Sequence, residues 1–202
     1  MNPVPLRERN RQKVLQRIIA AAAELFRDCG YSQTTMDDIA VKAEISRATL
    51  FNYFPTKDAL LIPFAVEIFQ RQIQPQLTAY LETEPKTLDA FRFLFMSIQK
   101  YVVAIPGIDQ AFKRAILKPQ ALNQSQTIYE AGFVHSLVEI LRYGRERGEV
   151  RNELPLDKQA HYIAALYVSI FFSIVIQAEG TALEYAREIE SVLKFIESGL
   201  GH

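Results

Sequence analysis

Apolar side chains along this chain recur at the intervals that place them on one face of an α-helix. In residues 9–29 they fall three and four positions apart, which is the period of an amphipathic helix. Gly30 follows, and glycine often ends a helix because it adopts the left-handed conformation without a steric penalty. The sequence contains no sustained alternation of apolar and polar residues, which would predict strands. We therefore expect an all-α fold of about nine helices.

The next stretch predicts two short helices. Thr35 precedes one over residues 36–43, and Ser46 precedes another over residues 47–54. Hydroxyl side chains at these positions cap the unsatisfied N–H groups of a first turn. Pro55 then stops the second short helix. Two short helices joined by a tight turn form a helix-turn-helix.

Helix-breaking residues divide the remainder of the chain into longer helices. A fourth helix begins at Lys57 and is interrupted or kinked at Pro63 and Pro75. The later helices are predicted over residues 87–104, 109–118, 122–147, 157–180 and 181–198. We expect two domains, a three-helix helix-turn-helix domain over residues 1–56 and a larger helical domain over residues 57–202.

One segment of the larger domain is unusually apolar. Residues 160–178 form a run of 19 positions without lysine, arginine, aspartate or glutamate, close to the ~20 residues that span a bilayer. His161, Ser169 and Gln177 lie within the run. A helix that is apolar on most sides is more often buried in a core or shared between subunits. We expect a buried helix, with a membrane span as the alternative.

The second short helix carries side chains that suit the major groove of DNA. Its outward positions are Arg47, Ala48, Thr49 and Asn52. Arginine pairs bidentately with guanine, asparagine pairs with adenine, and a threonine or alanine methyl group meets the methyl group of thymine. Hydrogen-bond donors useful for phosphate stand at Thr35, Ser46, Tyr53 and Lys57. The pattern favours DNA binding.

Composition excludes several other classes of protein. Lysine plus arginine and aspartate plus glutamate each number 23 in 202 residues, so the formal net charge is zero, which argues against a highly basic nucleic-acid coat protein. The first 17 residues nevertheless hold five basic residues and one acidic residue. Cys29 is the only cysteine, which excludes an internal disulfide and favours a reducing cytoplasm.

The sequence lacks the motifs of the common enzyme classes. It contains no phosphate-cradling glycine loop, no His-Glu-x-x-His, no paired cysteines and no Gly-x-Ser-x-Gly elbow. His135 and Glu139 share a helical face, but two ligands do not make a metal site. We expect no enzymatic activity, metal or cofactor. The competing class is a helical interaction protein, membrane-anchored or soluble, without sequence-specific DNA binding.

Several motifs together resemble the DNA-binding signature of the TetR family of bacterial transcriptional regulators. They are the alanines before Leu25-Phe26, then Gly30-Tyr31, Thr34-Thr35, Asp38-Ile39-Ala40, Ala43, Ile45-Ser46, Ala48-Thr49-Leu50-Phe51, Tyr53-Phe54 and Lys57-Asp58-Ala59-Leu60-Leu61. The resemblance covers residues 14–61, roughly a quarter of the chain. The rest is similar to the family in architecture only.

This resemblance implies a regulator, most often a repressor, whose third helix is the recognition helix on double-stranded DNA. The four outward residues of that helix would face the groove, and the four donors would bind phosphate. The basic arm over residues 7–17, which contains Arg11, would reach along the backbone or the minor groove. Glu44 stands where the family usually has glycine in the turn. A non-glycine residue in a left-handed conformation costs about 1 kcal/mol or more, so either the turn differs in geometry or this strain is tolerated.

A two-fold dimer places two recognition helices on a palindromic operator. The candidates for its interface are the helices over residues 157–179 and 182–198, which would form a four-helix bundle with their partners. The resemblance implies the same arrangement.

The middle of the chain is rich in aromatic residues, which at helical spacing are usually core. The resemblance implies that some of them line a cavity for a small, largely apolar or aromatic effector, because such pockets are mostly apolar with a few polar groups. The expected contacts are Phe95, Gln99, Arg114, Tyr129, Phe133, His135, Tyr167 and Phe171.

Overall fold

A computed structural model describes residues 5–116, 132–176 and 182–200 of the chain. Every regular element within these ranges is helical, as the apolar spacing predicts. The N-terminal unit consists of α1 (Leu6–Cys29), α2 (Met36–Lys42) and α3 (Arg47–Tyr53). These bounds agree with the predicted ones to within one residue, except that α1 begins three residues before the predicted start.

A long helical path joins this unit to the rest of the chain. It comprises a 3-10 turn (Lys57–Leu60), α4 (Leu61–Ile68), a π turn (Phe69–Ile73) and α5 (Gln74–Leu81). The larger unit continues with α6 (Thr87–Val103), α7 (Ile108–Ile116), α8 (Val134–Glu146), α9 (Leu156–Ile176) and α10 (Ala182–Leu200). The first part of the predicted helix over residues 122–147 lies outside the described residues.

Proline explains where the joining path changes its hydrogen bonding. Pro75 has no N–H to offer to the carbonyl four residues earlier, and the π turn lies directly before α5, in which Pro75 is in the first turn. The N–H of Gln74 instead reaches the carbonyl of Phe69, five residues back. Pro63 lies in the first turn of α4, where a missing N–H costs little. The predicted interruption is therefore found at Pro75, whereas Pro63 is accommodated within α4.

The small unit has its own apolar core. Ile18 and Phe26 of α1, Ile39 of α2 and Leu50 of α3 have no exposed surface. Burial of each such side chain contributes about 1.5–3 kcal/mol. This shared core fixes α3 against α1 and α2, so the polar positions of α3 point away from it.

The larger unit is centred on aromatic side chains from three helices. Phe95 of α6 stacks on Tyr167 of α9, with ring centres 4.7 Å apart, and Phe133, just before α8, lies 5.0 Å from Tyr167. The hydroxyl groups of Tyr167 and Tyr185 lie 2.5 Å apart in the interior. Burial raises the pKa of both tyrosines, so both stay neutral at physiological pH.

The apolar run of residues 160–178 is largely α9. Its side chains Ala160, Ile163, Ala164, Tyr167 and Ile170 are buried against the neighbouring helices. Within the described ranges, no helix combines the length and the apolar character needed to cross a bilayer. The side of α9 that faces these helices is therefore buried, as the sequence predicts.

Candidate nucleic-acid interface

The start of α2 is fixed by a reciprocal cap. The hydroxyl of Thr35 accepts a 3.1 Å hydrogen bond from the N–H of Asp38, while the Asp38 carboxylate accepts from the N–H and the hydroxyl of Thr35 at 2.9 and 2.7 Å. The hydrogen bond from the Thr35 side chain, together with that from its N–H, lowers the pKa of Asp38. The hydroxyl that the sequence assigns to phosphate contact thus also holds the first turn of α2.

Ser46 caps α3 in the same manner. Its hydroxyl accepts from the N–H of Thr49 at 3.1 Å and lies 2.8 Å from the Thr49 hydroxyl. Thr49 is partly buried, whereas Arg47 and Asn52 are exposed on the outer face of the helix. Ala48 is exposed beside them. Three of the four predicted groove-facing side chains therefore point into solvent, and the fourth is partly engaged in the cap.

The turn between α2 and α3 is left-handed at Glu44, where φ is 53°. This is the position at which the resemblance leads one to expect glycine. The N–H of Glu44 donates to the carbonyl of Val41 and that of Ile45 to the carbonyl of Ala40, each at 3.0 Å. The turn thus keeps its hydrogen bonds and accepts strain of about 1 kcal/mol at a residue with a Cβ.

The basic stretch over residues 7–17 lies within α1, which begins at Leu6. The N–H groups of Glu8 and Arg9 donate to the carbonyl of Pro5 at 3.0 and 3.1 Å, so the first turn of α1 forms directly after this proline. Arg11 therefore projects from a rigid helix.

An open groove of about 720 Å³ lies between the start of α1 and the end of α3. It is lined by Pro5, Arg7, Glu8, Asn10, Arg11, Val14 and Tyr53. Tyr53 is half-buried, and its hydroxyl donates to the carbonyl of Arg11 at 3.4 Å. Two predicted DNA contacts from distant parts of the sequence thus share one concave surface.

Lys57 has close partners within the protein. Its ammonium donates to the carbonyls of Tyr31 and Thr34 at 2.7 and 2.6 Å, and to that of Ser32 at 3.5 Å. The ammonium also lies 4.4 Å from the centre of the Tyr31 ring. Desolvation by burial lowers its pKa. These contacts assign Lys57 to holding the turn between α1 and α2, a role that its sequence position does not reveal.

Tyr31 joins the two units of the chain. Its side chain is buried, its hydroxyl donates to Asp58 at 2.7 Å, and its N–H donates to the carbonyl of Pro106, between α6 and α7, at 3.0 Å. Burial, followed by the hydrogen bond to Asp58, raises the pKa of Tyr31, whereas the charge of Arg114 opposes the rise. Gly30 has a φ of 82° and a Cβ there would come within 3.3 Å of Pro106, so the close approach depends on glycine.

The predicted effector contacts fall into separate places. Phe95, Phe133 and Tyr167 meet in the aromatic centre, and Gln99 is buried one turn after Phe95 on α6. The others lie elsewhere or outside the description. Arg114 is exposed beside Tyr31, His135 is exposed on α8, Tyr129 lies outside the described residues, and only the backbone of Phe171, within α9, is described.

Two large apolar side chains are exposed on the last two helices. Tyr162 of α9 is 60% exposed and Phe195 of α10 is 64% exposed. The helices are those expected to form the dimer interface.

Comparison with known proteins agrees with the site geometry. The family model described as bacterial regulatory proteins, tetR family, matches residues 18–62, from α1 through α3 to the beginning of α4. Over this segment the chain matches the TetR family. It is therefore a DNA-binding transcriptional regulator and not an enzyme, and TetR regulators bind DNA and small-molecule ligands and act as dimers.

Two curated relatives match different lengths of the chain. The probable acrEF/envCD operon repressor of Escherichia coli K12 is 28% identical over 152 residues, which cover 72% of this chain and 68% of that protein. The uncharacterised HTH-type transcriptional regulator YuxN of Bacillus subtilis is 42% identical over 45 residues, 22% of this chain and 16% of that protein.

A solved TetR structure covers nearly the whole chain. FadR of Thermus thermophilus, a TetR family repressor in complex with lauroyl-CoA, is 26% identical, with a TM-score of 0.71 over 91% of this chain and 93% of that one. NalD of Pseudomonas aeruginosa, at 17% identity and a TM-score of 0.55 over 96% and 98% of the two chains, shares the fold.

Proposed function

We propose that this protein is a repressor that binds a palindromic operator as a homodimer and leaves it when a largely apolar effector binds. The observation that carries the proposal is the capped, solvent-facing α3, with Arg47, Ala48 and Asn52 exposed within the segment that matches the family model. Because such a regulator acts on chromosomal DNA, we also propose a cytoplasmic location.

Each part of the helix-turn-helix has a proposed role on DNA. Arg47, Ala48 and Asn52 read bases in the major groove, with Thr49 at the edge of that contact. Thr35, Ser46 and Tyr53 meet phosphate at the ends of α2 and α3, and Arg11 meets it from the groove between α1 and α3. Lys57 contributes through the turn that it holds, in addition to the phosphate contact predicted from its sequence position.

We propose that the domain boundary lies between residues 56 and 57. Thr56 caps the 3-10 turn that opens the larger domain, by accepting from the N–H of Ala59 at 3.3 Å. Lys57 and Asp58, directly after the boundary, contact Tyr31 in the smaller domain. The boundary thus lies at a joint through which the two domains act on one another.

The dimer interface is proposed on α9 and α10. The exposed Tyr162 and Phe195 supply apolar area, and Ala165 and Ser191 are small exposed neighbours on the two helices. A self-complementary two-fold interface uses the same patch on both subunits. Pairing of these helices gives the four-helix bundle expected from the sequence.

The effector is proposed to enter next to the aromatic centre, among Phe95, Phe133 and Tyr167, with Gln99 and the Tyr167–Tyr185 hydroxyl pair as nearby polar groups. Support for a long apolar chain comes from the lauroyl-CoA complex of the Thermus relative. Effector binding shifts the population toward a conformer whose recognition helices no longer match the operator. Operator and effector then weaken each other's binding by the same factor.

The test is fluorescence anisotropy of the purified full-length protein on DNA from immediately upstream of its gene. Scrambled DNA is the control, and both are measured across a salt series. We expect tight binding that depends on a palindrome and that lauroyl-CoA releases, whereas free coenzyme A does not. A random-sequence selection follows if the upstream DNA is not preferred. If that selection also returns no preferred sequence, the proposal is wrong.

A further inference from the structure

Arg47, Asp37 and Phe51 form a contact on the exposed face of the helix-turn-helix. Nη1 of Arg47 donates to Oδ2 of Asp37 at 3.1 Å, and Cζ of Arg47 lies 5.4 Å from the centre of the Phe51 ring. Asp37 comes from the first turn of α2, while Phe51 lies one helical turn after Arg47 on α3. The side chains of Arg47 and Asp37 are 68% and 58% exposed, so this contact is not part of the packed core.

The two contacts restrict Arg47 from different directions. An exposed arginine at the start of a helix samples many rotamers, and fixing it on DNA costs conformational entropy. A surface ion pair or a cation–π contact is weak alone, but a carboxylate at one edge of the guanidinium and a ring against its face exclude different rotamers. A side chain that is held before binding loses less entropy on binding.

We propose that Asp37 and Phe51 are positioning residues that set Arg47 to read guanine in the major groove. The inference rests on the proposed function, because it requires α3 to enter that groove. Arginine has five N–H donors, and the single hydrogen bond to Asp37 leaves donors for the O6 and N7 acceptors that guanine presents.

Asp37 also acts against DNA of the wrong sequence. Its negative charge opposes approach to the phosphates of any duplex, and its carboxylate competes with phosphate for the guanidinium of Arg47. Removal of that charge therefore changes two quantities in opposite directions: affinity for scrambled DNA rises, and discrimination at the base read by Arg47 falls. Loss of a residue that merely stabilises the fold would not raise affinity for scrambled DNA while lowering discrimination at that base.

The variants that test this are Asp37→Asn, Phe51→Leu and, as a matched control for charge, Glu44→Gln. Glu44 is exposed in the same helix-turn-helix and is not among the described partners of Arg47. Thermal melting first establishes that each full-length variant folds. Random-sequence selection on the wild type defines the preferred site, and anisotropy then compares that site with a form in which its guanine is replaced in both half-sites.

We expect the wild type to select guanine at one position per half-site, with a penalty of about 10- to 100-fold for replacing it. Asp37→Asn reduces that penalty to less than about threefold and binds scrambled DNA a few-fold more tightly. Phe51→Leu reduces the penalty for replacing guanine. It does not bind scrambled DNA more tightly, because this substitution leaves the charge of the protein unchanged. Glu44→Gln binds scrambled DNA more tightly, because it also removes a negative charge, and it keeps the full penalty for replacing guanine.

The outcomes separate this inference from the proposed function. If the wild type selects no sequence, the proposed function fails and the inference fails with it. The inference alone is overturned if the wild type selects a palindrome but Asp37→Asn and Phe51→Leu keep the full guanine penalty. It is also overturned if the palindrome holds no position at which these two variants change the penalty.

Discussion

The hydroxyl of Tyr31 donates a 2.7 Å hydrogen bond to Asp58, and this bond crosses the joint between the helix-turn-helix unit and the larger helical unit. The backbone N–H of Tyr31 is bonded to Pro106 of the larger unit at the same time. A change in the larger unit that moves Pro106 or Asp58 therefore acts on the turn between α1 and α2. Residues 57 and 58 thus lie at the joint through which, under the proposed function, effector binding acts on DNA binding.

Replacement of Tyr31 by phenylalanine tests this joint. Loss of the hydroxyl removes a hydrogen bond to Asp58, and we expect the free energy of unfolding to fall by about 1–2 kcal/mol. We also expect effector to release the operator several-fold less efficiently, because the coupling free energy is reduced. Denaturant unfolding and the effector dependence of operator binding measure the two effects.

Tyr143→Phe is the matched control for that variant. The Tyr143 hydroxyl donates to the carbonyl of Pro85 at 2.5 Å, and that partner is within the larger unit. The control should lose similar stability while effector release stays unchanged. Equal effector responses in Tyr31→Phe and the wild type would refute the role of Tyr31 in coupling.

Replacement of Glu44 by glycine relieves the left-handed turn. At a φ of 53° a Cβ costs about 1 kcal/mol or more, part of which is offset by the greater backbone entropy of glycine in the unfolded chain. We expect a net gain of about 0.5 kcal/mol in the free energy of unfolding and tighter binding to DNA, since a negative charge is removed near the phosphates.

Glu84→Gly separates these two effects. Glu84 has a φ of 54° but lies between α5 and α6, outside the helix-turn-helix. Urea titrations should therefore show a similar gain for this variant, while anisotropy shows unchanged operator binding. If Glu44→Gly is no more stable than the wild type, the turn is not strained.

The sequence predicts the elements of the small unit well because its signals are local. Thr35 and Ser46 mark the helix starts as hydroxyl caps, and Pro55 marks the end of α3, so the bounds agree closely with the structure. At Glu44 the sequence leaves two alternatives, a turn of different geometry or a strained left-handed residue, and the structure has the left-handed residue.

The parts that the sequence did not predict depend on contacts between distant positions. Lys57 sits among carbonyls 23 to 26 residues earlier, and nothing in its neighbours along the chain reveals that burial. The sequence predicts His135 and Arg114 as polar effector contacts among apolar residues, but helical periodicity does not fix which face turns inward. The structure places both on the exposed side. In the sequence Phe51 is only part of the family motif, whereas its contact with Arg47 is found in the structure.

A charged cap at the start of α6 makes stability depend on pH. The Glu149 carboxylate accepts from the N–H and the hydroxyl of Thr87, each at 2.7 Å, and from Nε of Arg147 at 3.1 Å. Burial alone would raise the pKa of Glu149, but the hydrogen bonds from Thr87 and then Arg147 outweigh it, so the pKa is lowered. The stabilisation is therefore fully present above the unfolded pKa of about 4.3 and is lost as pH falls through the lower folded pKa.

Glu149→Gln should consequently lose about 1 kcal/mol of unfolding free energy at pH 7 and less at pH 3, because below the unfolded pKa the wild type has itself lost part of the stabilisation that its charged carboxylate supplies. Glu153→Gln, in the exposed loop before α9, is the control and should follow the wild type at both pH values. Urea unfolding of all three proteins across that range provides the comparison. A loss of equal size at both pH values would show that the charge of Glu149 is not what stabilises the cap.

Replacement of Phe195 by glutamate tests the proposed dimer surface. Phe195 is 64% exposed, so the substitution costs the isolated subunit little stability, whereas in a two-fold interface it would bring two carboxylates together on an apolar patch. We expect sedimentation equilibrium to change from dimer to monomer and operator affinity to fall by at least about 100-fold, since one recognition helix alone binds a half-site weakly. Met96→Glu introduces the same charge at a 39% exposed position on α6 and should leave both the dimer and the operator affinity intact. If Phe195→Glu remains a dimer, the interface lies on another surface, and the pairing of α9 and α10 with their partners is wrong.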